Sequence, residues 1–208
     1  MAIGPTVRKL LGPFERPISE LYRSIFVDLT AFSDQILQWA PASSILELGC
    51  GEGAVAERLL NALPHSQYTG IDITPRVGRL FAGDSTRAIF KQQSIKDFAR
   101  ENLESFDLLI ICDVMHHIPW NLHKEILTDA KKVLKPGGYL ILKDWKRSTT
   151  LIHFLCYFAD RYITGDNVQY KSENELRELI EEVFGPDRIR STAKIQPWEN
   201  NIAFLVQA

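Results

Sequence analysis

The chain has 208 residues, 45% hydrophobic and 24% charged, with a formal net charge of -2; that suffices for one domain with a full core and leaves no field that draws it to nucleic acid or an anionic membrane. Cys50, Cys112 and Cys156 are dispersed, show no metal-ligand spacing and read as reduced thiols of a cytoplasmic protein. No apolar run approaches a membrane span, and the start, broken by Gly4, Pro5, Gly12, Pro13 and Pro17, lacks the pattern of a signal peptide.

In chain order, residues 18–40 read as helix. Ile18, Leu21, Tyr22, Ile25, Phe26 and Leu29 recur at three- and four-residue steps; a second run carries Ile36, Leu37 and Trp39 and stops at Pro41. SSILELG (43–49) suits a buried strand and GAVAERLLNAL (53–63) a helix; QYTGIDI (67–73) is the next strand. Gly78 and Gly83 weaken any helix between Pro75 and Arg87. FKQQSI and KDFARENL follow as strand and helix, then the most apolar strand, FDLLIICDV (106–114), the amphipathic helix NLHKEILTDAKKVL (121–134) and the strand YLILKDW (139–145). This alternation predicts a parallel sheet with helices on both faces. Beyond it, TLIHFLCYFADRYI is apolar and aromatic, Ser172 and Glu175 form a capping box before a helix, and residues 188–208 read as a hairpin.

The sharpest feature is Glu47-Leu48-Gly49-Cys50-Gly51-Glu52-Gly53 at a strand-to-helix junction, where glycines permit a tight turn and close approach of a ligand. Gly49, Gly51 and Ala54 also satisfy the dinucleotide pattern, and Asp72 ends the next strand where a carboxylate can accept from ribose hydroxyls. Loop and acid together imply an adenosine-type ligand with its tail left open. Charge selects among tails: Glu47 and Glu52 repel a diphosphate and attract a sulfonium and an ammonium. For Glu52 the competing reading is a first-turn helix acid favoured by the dipole.

ILELGCGEG, the Asp72 of YTGIDI, FDLLIICDVMHHIP and LKPGGYLILKD, in this order, resemble the motifs of the class I S-adenosylmethionine-dependent methyltransferases, in their small-molecule, methyltransferase type 11/12-like branch. The resemblance covers about residues 43–145 and the closing hairpin. It implies a Rossmann-like α/β fold, with a seven-stranded, mostly parallel sheet, an antiparallel last strand and helices on both faces. It implies a single domain over 1–208: an N-terminal helical cap (1–42), a cofactor-binding core (43–145), an insertion or lid (146–171) and a C-terminal helix and hairpin (172–208). By position, Glu47, Gly49, Cys50 and Gly51 would hold the methionine part of S-adenosylmethionine, Asp72 the ribose, and Ile73 the adenine face. Where many members have an Asp near the adenine amino group, this chain has Gln93-Ser94-Ile95; Ser94 and Ile95 take that place. Asp113 would lie beside the methyl group. The product would be S-adenosylhomocysteine.

Methyl transfer to a hydroxyl also needs a base, a role that suits histidine at neutral pH. His116 and His117 follow the fourth strand and are the candidates; the alternative is that the pair shapes the loop. Lys143, Asp144 and Trp145 leave the fifth strand on the same rim, Asp144 orienting a histidine or the acceptor or only capping a turn. Phe154, Tyr157, Phe158 and Tyr162 form a stripe whose ordinary meaning is core packing; its functional reading is that Tyr157, with Tyr22 and Phe26, walls an apolar acceptor site, and a third, weaker reading is a surface helix that dips into a membrane, weaker because its polar ends are not notably basic. His65, His123 and His153 are isolated, so no metal is expected. The chain reads as an O-methyltransferase of specialised or lipid-like metabolites, a monomer or homodimer with a partly apolar small-molecule acceptor, no nucleic acid partner and no membrane insertion. Nitrogen or carbon acceptors, a nucleotide-dependent oxidoreductase and a binding module without chemistry are the alternatives.

Overall fold

The computed structural model describes residues 15–165 and 167–208. Helices α1 (Glu15–Phe26) and α2 (Leu29–Trp39) lead into an alternation of β1 (Ser44–Leu48), α3 (Ala54–Ala62), β2 (Gln67–Asp72), β3 (Ala88–Gln92), α4 (Ile95–Glu101) and β4 (Phe106–Cys112). A 3-10 turn over Met115–His117, α5 (Trp120–Val133) and β5 (Leu134–Trp145) complete it. Then come α6 (Leu151–Phe158), a π-helical turn over Ala159–Thr164, α7 (Glu173–Phe184), β6 (Ile189–Lys194) and β7 (Asn201–Gln207). The strands form one sheet in the order β3-β2-β1-β4-β5-β7-β6. Pairing is parallel from β3 through β5, and β7 runs antiparallel to both β5 and β6.

The apolar runs of β1, β4 and β5 are central because neighbouring side chains face opposite sides of the sheet and both sides are covered. Leu46, Leu109, Leu140 and Phe204 pack with Phe98 of α4, Leu127 of α5 and Ile180 of α7. Ile45, Leu108, Ile110 and Ile141 pack on the other face with Phe32 of α2 and Leu59 of α3. The chain runs outward from β1 to β2 and β3, then returns to place β4 on the other side of β1. The carboxyl ends of β1 and β4 are therefore the switch point of the sheet, where connections leave in opposite directions and open a crevice.

Two local expectations are corrected. The helix over residues 18–40 is two helices: Asp28 is extended (φ -87°, ψ 98°), and its carboxylate accepts from the Thr30 and Ala31 amides at 2.9 and 3.0 Å. A capping aspartate competes with helix continuation, and its own amide is drawn off to Gln196 O at 2.8 Å. The aromatic stripe is not core. Phe154, Tyr157, Phe158 and Tyr162 are exposed, while His153, Cys156 and Ala159 are buried. Helix α6 and its π turn cover only a small cluster around Trp145, Val168 and Tyr170, too narrow to take the outer face. No helix among the described residues is long and apolar enough to cross a membrane.

The capping box of α7 has both reciprocal bonds, Glu175 N to Ser172 Oγ at 3.3 Å and Ser172 N to Glu175 Oε2 at 2.7 Å. Ser172→Ala should cost about 1 kcal/mol and lower Tm by about 2–4 °C in thermal denaturation, with no change in the sheet's spectral signature. An unchanged Tm contradicts a stabilising cap.

Candidate functional site

The carboxyl ends of the central strands face one cleft of about 830 Å³, a size suited to a small-molecule or cofactor site. Ile18, Arg23 and Phe26 of α1 form one wall; Cys156 and Asp160 contribute from the α6 side.

The loop after β1 is shaped by left-handed glycines: Gly49 at φ +74°, Gly51 at +49° and Gly53 at +88°, conformations that disfavour a Cβ. They differ in surroundings. A Cβ on Gly49 would lie 2.3 Å from Val114 Cγ2, whereas one on Gly51 meets nothing within 4 Å and would project into open space. Gly49 lets the loop close on the turn after β4; Gly51 leaves bare backbone against the cleft. Asp72, at the end of β2, ties the loop down: Oδ2 accepts from Gly51 N at 2.9 Å and Oδ1 accepts from Thr74 N and Oγ1 at 2.8 and 2.7 Å. Cys50 is buried beside the loop, and burial and the Glu47 carboxyl hold its thiol protonated.

Glu47 is buried in β1 and accepts from the Tyr68 hydroxyl. Burial, with the Asp72 carboxylate adding to it and the Tyr68 bond opposing it, pushes its carboxyl up to about 8. Glu52 is engaged differently from the charge argument made on sequence: Arg23 of α1, at 3.2 Å, and Arg79 both bind it. Its charge is matched locally, so the attraction of a cation rests on Glu47 and Asp72.

Across the cleft, Asp113 takes a left-handed conformation (φ +55°) at the end of β4. Both its oxygens accept from the Lys143 ammonium, at 2.7 and 2.6 Å. His116, buried in the 3-10 turn, is bound twice by Asp144 of β5: Oδ2 accepts its amide at 3.1 Å, and Oδ1 meets Nδ1 of the ring. Burial opposes the charged imidazole, but the Asp144 carboxylate outweighs it and raises His116 above the ordinary histidine value. His117 is exposed and packs against the His116 ring at 4.1 Å; Tyr170 stacks on His116 at 5.0 Å. Asp113, His116 and Asp144 bring polar atoms within 4.8 Å of one another, and each is engaged within the protein: the Lys143 ammonium binds both Asp113 oxygens, and Asp144 binds the His116 amide and ring.

Of the residues chosen from sequence, Glu47, Gly49, Cys50, Gly51, Asp72, Asp113, His116, His117, Phe26 and Trp145 line this cleft. Asp144 lies behind His116. Ile73 is 74% exposed and Tyr157 43% exposed, and neither lines the cleft. Ser94 caps α4 and donates to Asp97 at 2.7 Å, and Ile95 is in the core. The Tyr22 side chain lies outside the described residues, as do residues 1–14 of the expected cap. Sequence reasoning missed Arg23, Asp160 and Asn201, which line the same cleft, and placed Lys143 on its rim without giving it a role. Asn201, wholly buried, donates to Phe26 O at 2.7 Å, and its Oδ1 has no partner among the described residues. The one signal available for Lys143 was a charged residue at the end of an otherwise aliphatic strand.

Comparison with known proteins adds the following. Residues 46–140 match the family model described as "Methyltransferase domain". The ubiquinone biosynthesis O-methyltransferase of Xanthomonas campestris pv. campestris (strain B100) is 33% identical over 112 residues, covering 52% of this chain and 45% of that protein. The protein of the same name from Vibrio atlanticus (strain LGP32) is 26% identical over 147 residues, 66% of this chain and 60% of that protein. The chain spans about half the length of the curated relatives it matches. Among solved structures, the mitomycin 7-O-methyltransferase MmcR superposes with a TM-score of 0.72 at 17% identity, over 98% of this chain and 58% of that one, and shares the fold.

Gly49→Ala adds a clash and a strained φ at once, and should destabilise by about 2–4 kcal/mol. Adding Val114→Ala should return the packing share and leave ~1–2 kcal/mol for the left-handed backbone. Chemical denaturation of the two variants checks this; a double variant no better than Gly49→Ala would mean that Val114 is not what the Cβ meets.

Proposed function

We propose, from the premise that this chain carries a class I methyltransferase domain, that it transfers a methyl group from S-adenosylmethionine to an oxygen of a small molecule. The observation that carries this reading is a glycine cradle with Glu47 and Asp72 facing, across one cleft, a histidine held by a buried carboxylate. The site fits the cofactor: Gly51 offers backbone with open space before it, and Glu47 offers a buried acid suited to an ammonium. In this reading Glu47, Gly49 and Gly51 hold the amino-acid part and Asp72 accepts from the ribose. Bound S-adenosylmethionine supplies an electrophilic methyl carbon.

The chain's own part is positioning and proton removal. His116 is the base. Asp144 fixes its Nδ1 side, which leaves Nε2 for the acceptor hydroxyl. His117 packs on the base and closes the exposed side. Phe26 and Trp145, edge to face at 6.0 Å, give the acceptor an apolar wall. The relatives named for ubiquinone biosynthesis and the fold shared with MmcR support oxygen as the target and hydroxylated ring compounds as the acceptor class.

S-adenosylhomocysteine should raise Tm, and NAD and NADP should not; the reverse would end the case for methyl transfer. With labelled S-adenosylmethionine and a panel of hydroxylated aromatic acceptors, His116→Ala should lose about 10²–10⁴ in kcat while still binding S-adenosylhomocysteine. Since the base must be deprotonated and Asp144 raises His116, kcat/KM should climb with pH through a midpoint above 6.5, and Asp144→Asn should move that midpoint down.

Glu47 adds a second pH effect. Its carboxyl is mostly protonated at pH 7 in the free protein, and binding an ammonium requires the carboxylate. Affinity for S-adenosylhomocysteine should therefore rise between pH 6 and 7.5, by up to about tenfold per unit. Glu47→Gln should bind more weakly and lose this slope. Calorimetric titration across pH decides it, and a flat wild-type profile contradicts the role of Glu47.

A further inference from the structure

Near its carboxyl end β5 carries two charged neighbours, Lys143 and Asp144, after Leu140, Ile141 and Leu142, all wholly buried. The Lys143 side chain is 1% exposed. An ammonium in such a place is costly, and an aliphatic residue would suit the surrounding core better, so the charge answers to something other than packing. The function proposed above uses Asp144, through His116, and leaves Lys143 without a part.

The two residues grip the two ends of one short turn. Lys143 holds its start: the carbonyl accepts from Asp113 N at 2.9 Å and the ammonium binds both Asp113 oxygens. Asp144 holds its end through the amide and ring of His116. At the first grip the backbone turns sharply, since Asp113 sits at φ +55°, a left-handed conformation that its bonds to Lys143 help to hold. The next residue, Val114, is the one that fills the space left by the missing Cβ of Gly49. The start of the turn therefore sets both where His116 stands and how closely the glycine loop can approach.

We propose that Lys143 is a positioning residue, whose ammonium clamps Asp113 and so fixes the turn that presents His116 to the cleft. The proposal rests on the reading of His116 as the base. The groups facing the His116 ring are the carboxylates of Asp144, Asp113 and Asp160 and the rings of His117 and Tyr170. With the clamp released, Asp113 and the turn move away from this arrangement, and His116 loses part of what holds its proton.

The test uses the free protein, without methyl donor or acceptor, so its outcome is separable from that of the function. Ring signals of the histidines are titrated by NMR in wild type, Lys143→Met and Lys143→Arg, and amide exchange is followed at His117 and Ile118, which donate to Val114 O and Met115 O within the turn. In Lys143→Met the His116 midpoint should fall toward the unperturbed 6.5, and exchange at these amides should quicken roughly tenfold or more; Lys143→Arg should restore both. Loss of a nearby cation with the turn intact would instead leave the midpoint unchanged or raise it, and that result overturns the proposal. Should Lys143→Met not fold, Lys143→Gln, whose shorter, neutral side chain cannot hold both Asp113 oxygens, carries the same expectation and the same contrary result. S-adenosylhomocysteine binding by wild type is measured alongside; its absence counts against the methyltransferase reading and leaves the clamp standing or falling on the NMR result.

Discussion

Glu47, Lys143 and Asp144 carry ionisable groups into a part of the sheet that is otherwise aliphatic, each no more than 2% exposed. Such groups survive burial only with partners, and here the partners determine the shape of the cleft. Glu47 needs Tyr68 of β2. Lys143 needs Asp113 beyond β4, and Asp144 needs His116 one turn further on. Each pairing crosses from one strand to its neighbour or to the loop that leaves it, and the Lys143 and Asp144 pairings lie at the carboxyl ends where the sheet's connections diverge. Glu47 and Tyr68 thus tie β1 to β2, while Lys143 and Asp144 hold the turn after β4 in place.

Much of this was legible in the sequence because the signals were local. Alternation of apolar strands with amphipathic helices implies the parallel sheet, and the glycines after β1 imply the turn whatever the rest of the chain does. Asp72 was found because it ends a strand at a familiar interval from that turn. What was not legible depends on residues distant in sequence. Arg23 binds Glu52 from a helix that lies before the whole core, and this changes the meaning of Glu52 from a free acid beside a ligand to half of an ion pair. Lys143 is a strand-end lysine until Asp113, thirty positions earlier, is known to face it. The aromatic stripe of α6 failed for a related reason: spacing shows which residues share a helix face, but not whether a core waits beneath it. In α6 the buried seam is His153 and Cys156, and the aromatic residues take the outside.

Helix α1 illustrates a different division of labour. Its exposed face carries Leu21 and Ile25, and much of its attachment to the core-forming helices is ionic: Arg16 to Glu57 at 2.5 Å, and Glu20 to Arg58 at 2.6 Å, beside the Arg23–Glu52 pair. Partly exposed ion pairs contribute little each, so α1 is set by direction more than by depth of burial. Its carboxyl end is fixed more firmly, where the Trp198 indole donates to Ile25 O at 2.6 Å and Asn201 donates to Phe26 O. The wall that Phe26 and Arg23 give to the cleft is therefore hung from the closing hairpin at one end and pinned by charge along its length.

The electrostatics of the glycine loop follow from the same accounting. If Glu52 were free, the loop would repel any anion at all times. With Glu52 matched by two arginines and Glu47 held mostly protonated by burial, the loop of the free protein carries far less negative field than its composition implies. Discrimination between a cationic and an anionic ligand then arises on binding: an ammonium brought against Glu47 offsets the desolvation that kept its proton on, whereas a phosphate makes ionisation harder still. Asp72 works in the same direction: its carboxylate accepts from the amide of Gly51 and from Thr74 and keeps the loop in the shape that leaves Gly51 bare. On the function proposed here, a buried acid that ionises only for the right partner is a stricter filter than a surface acid that attracts every cation, and it places the selectivity of the loop in Glu47.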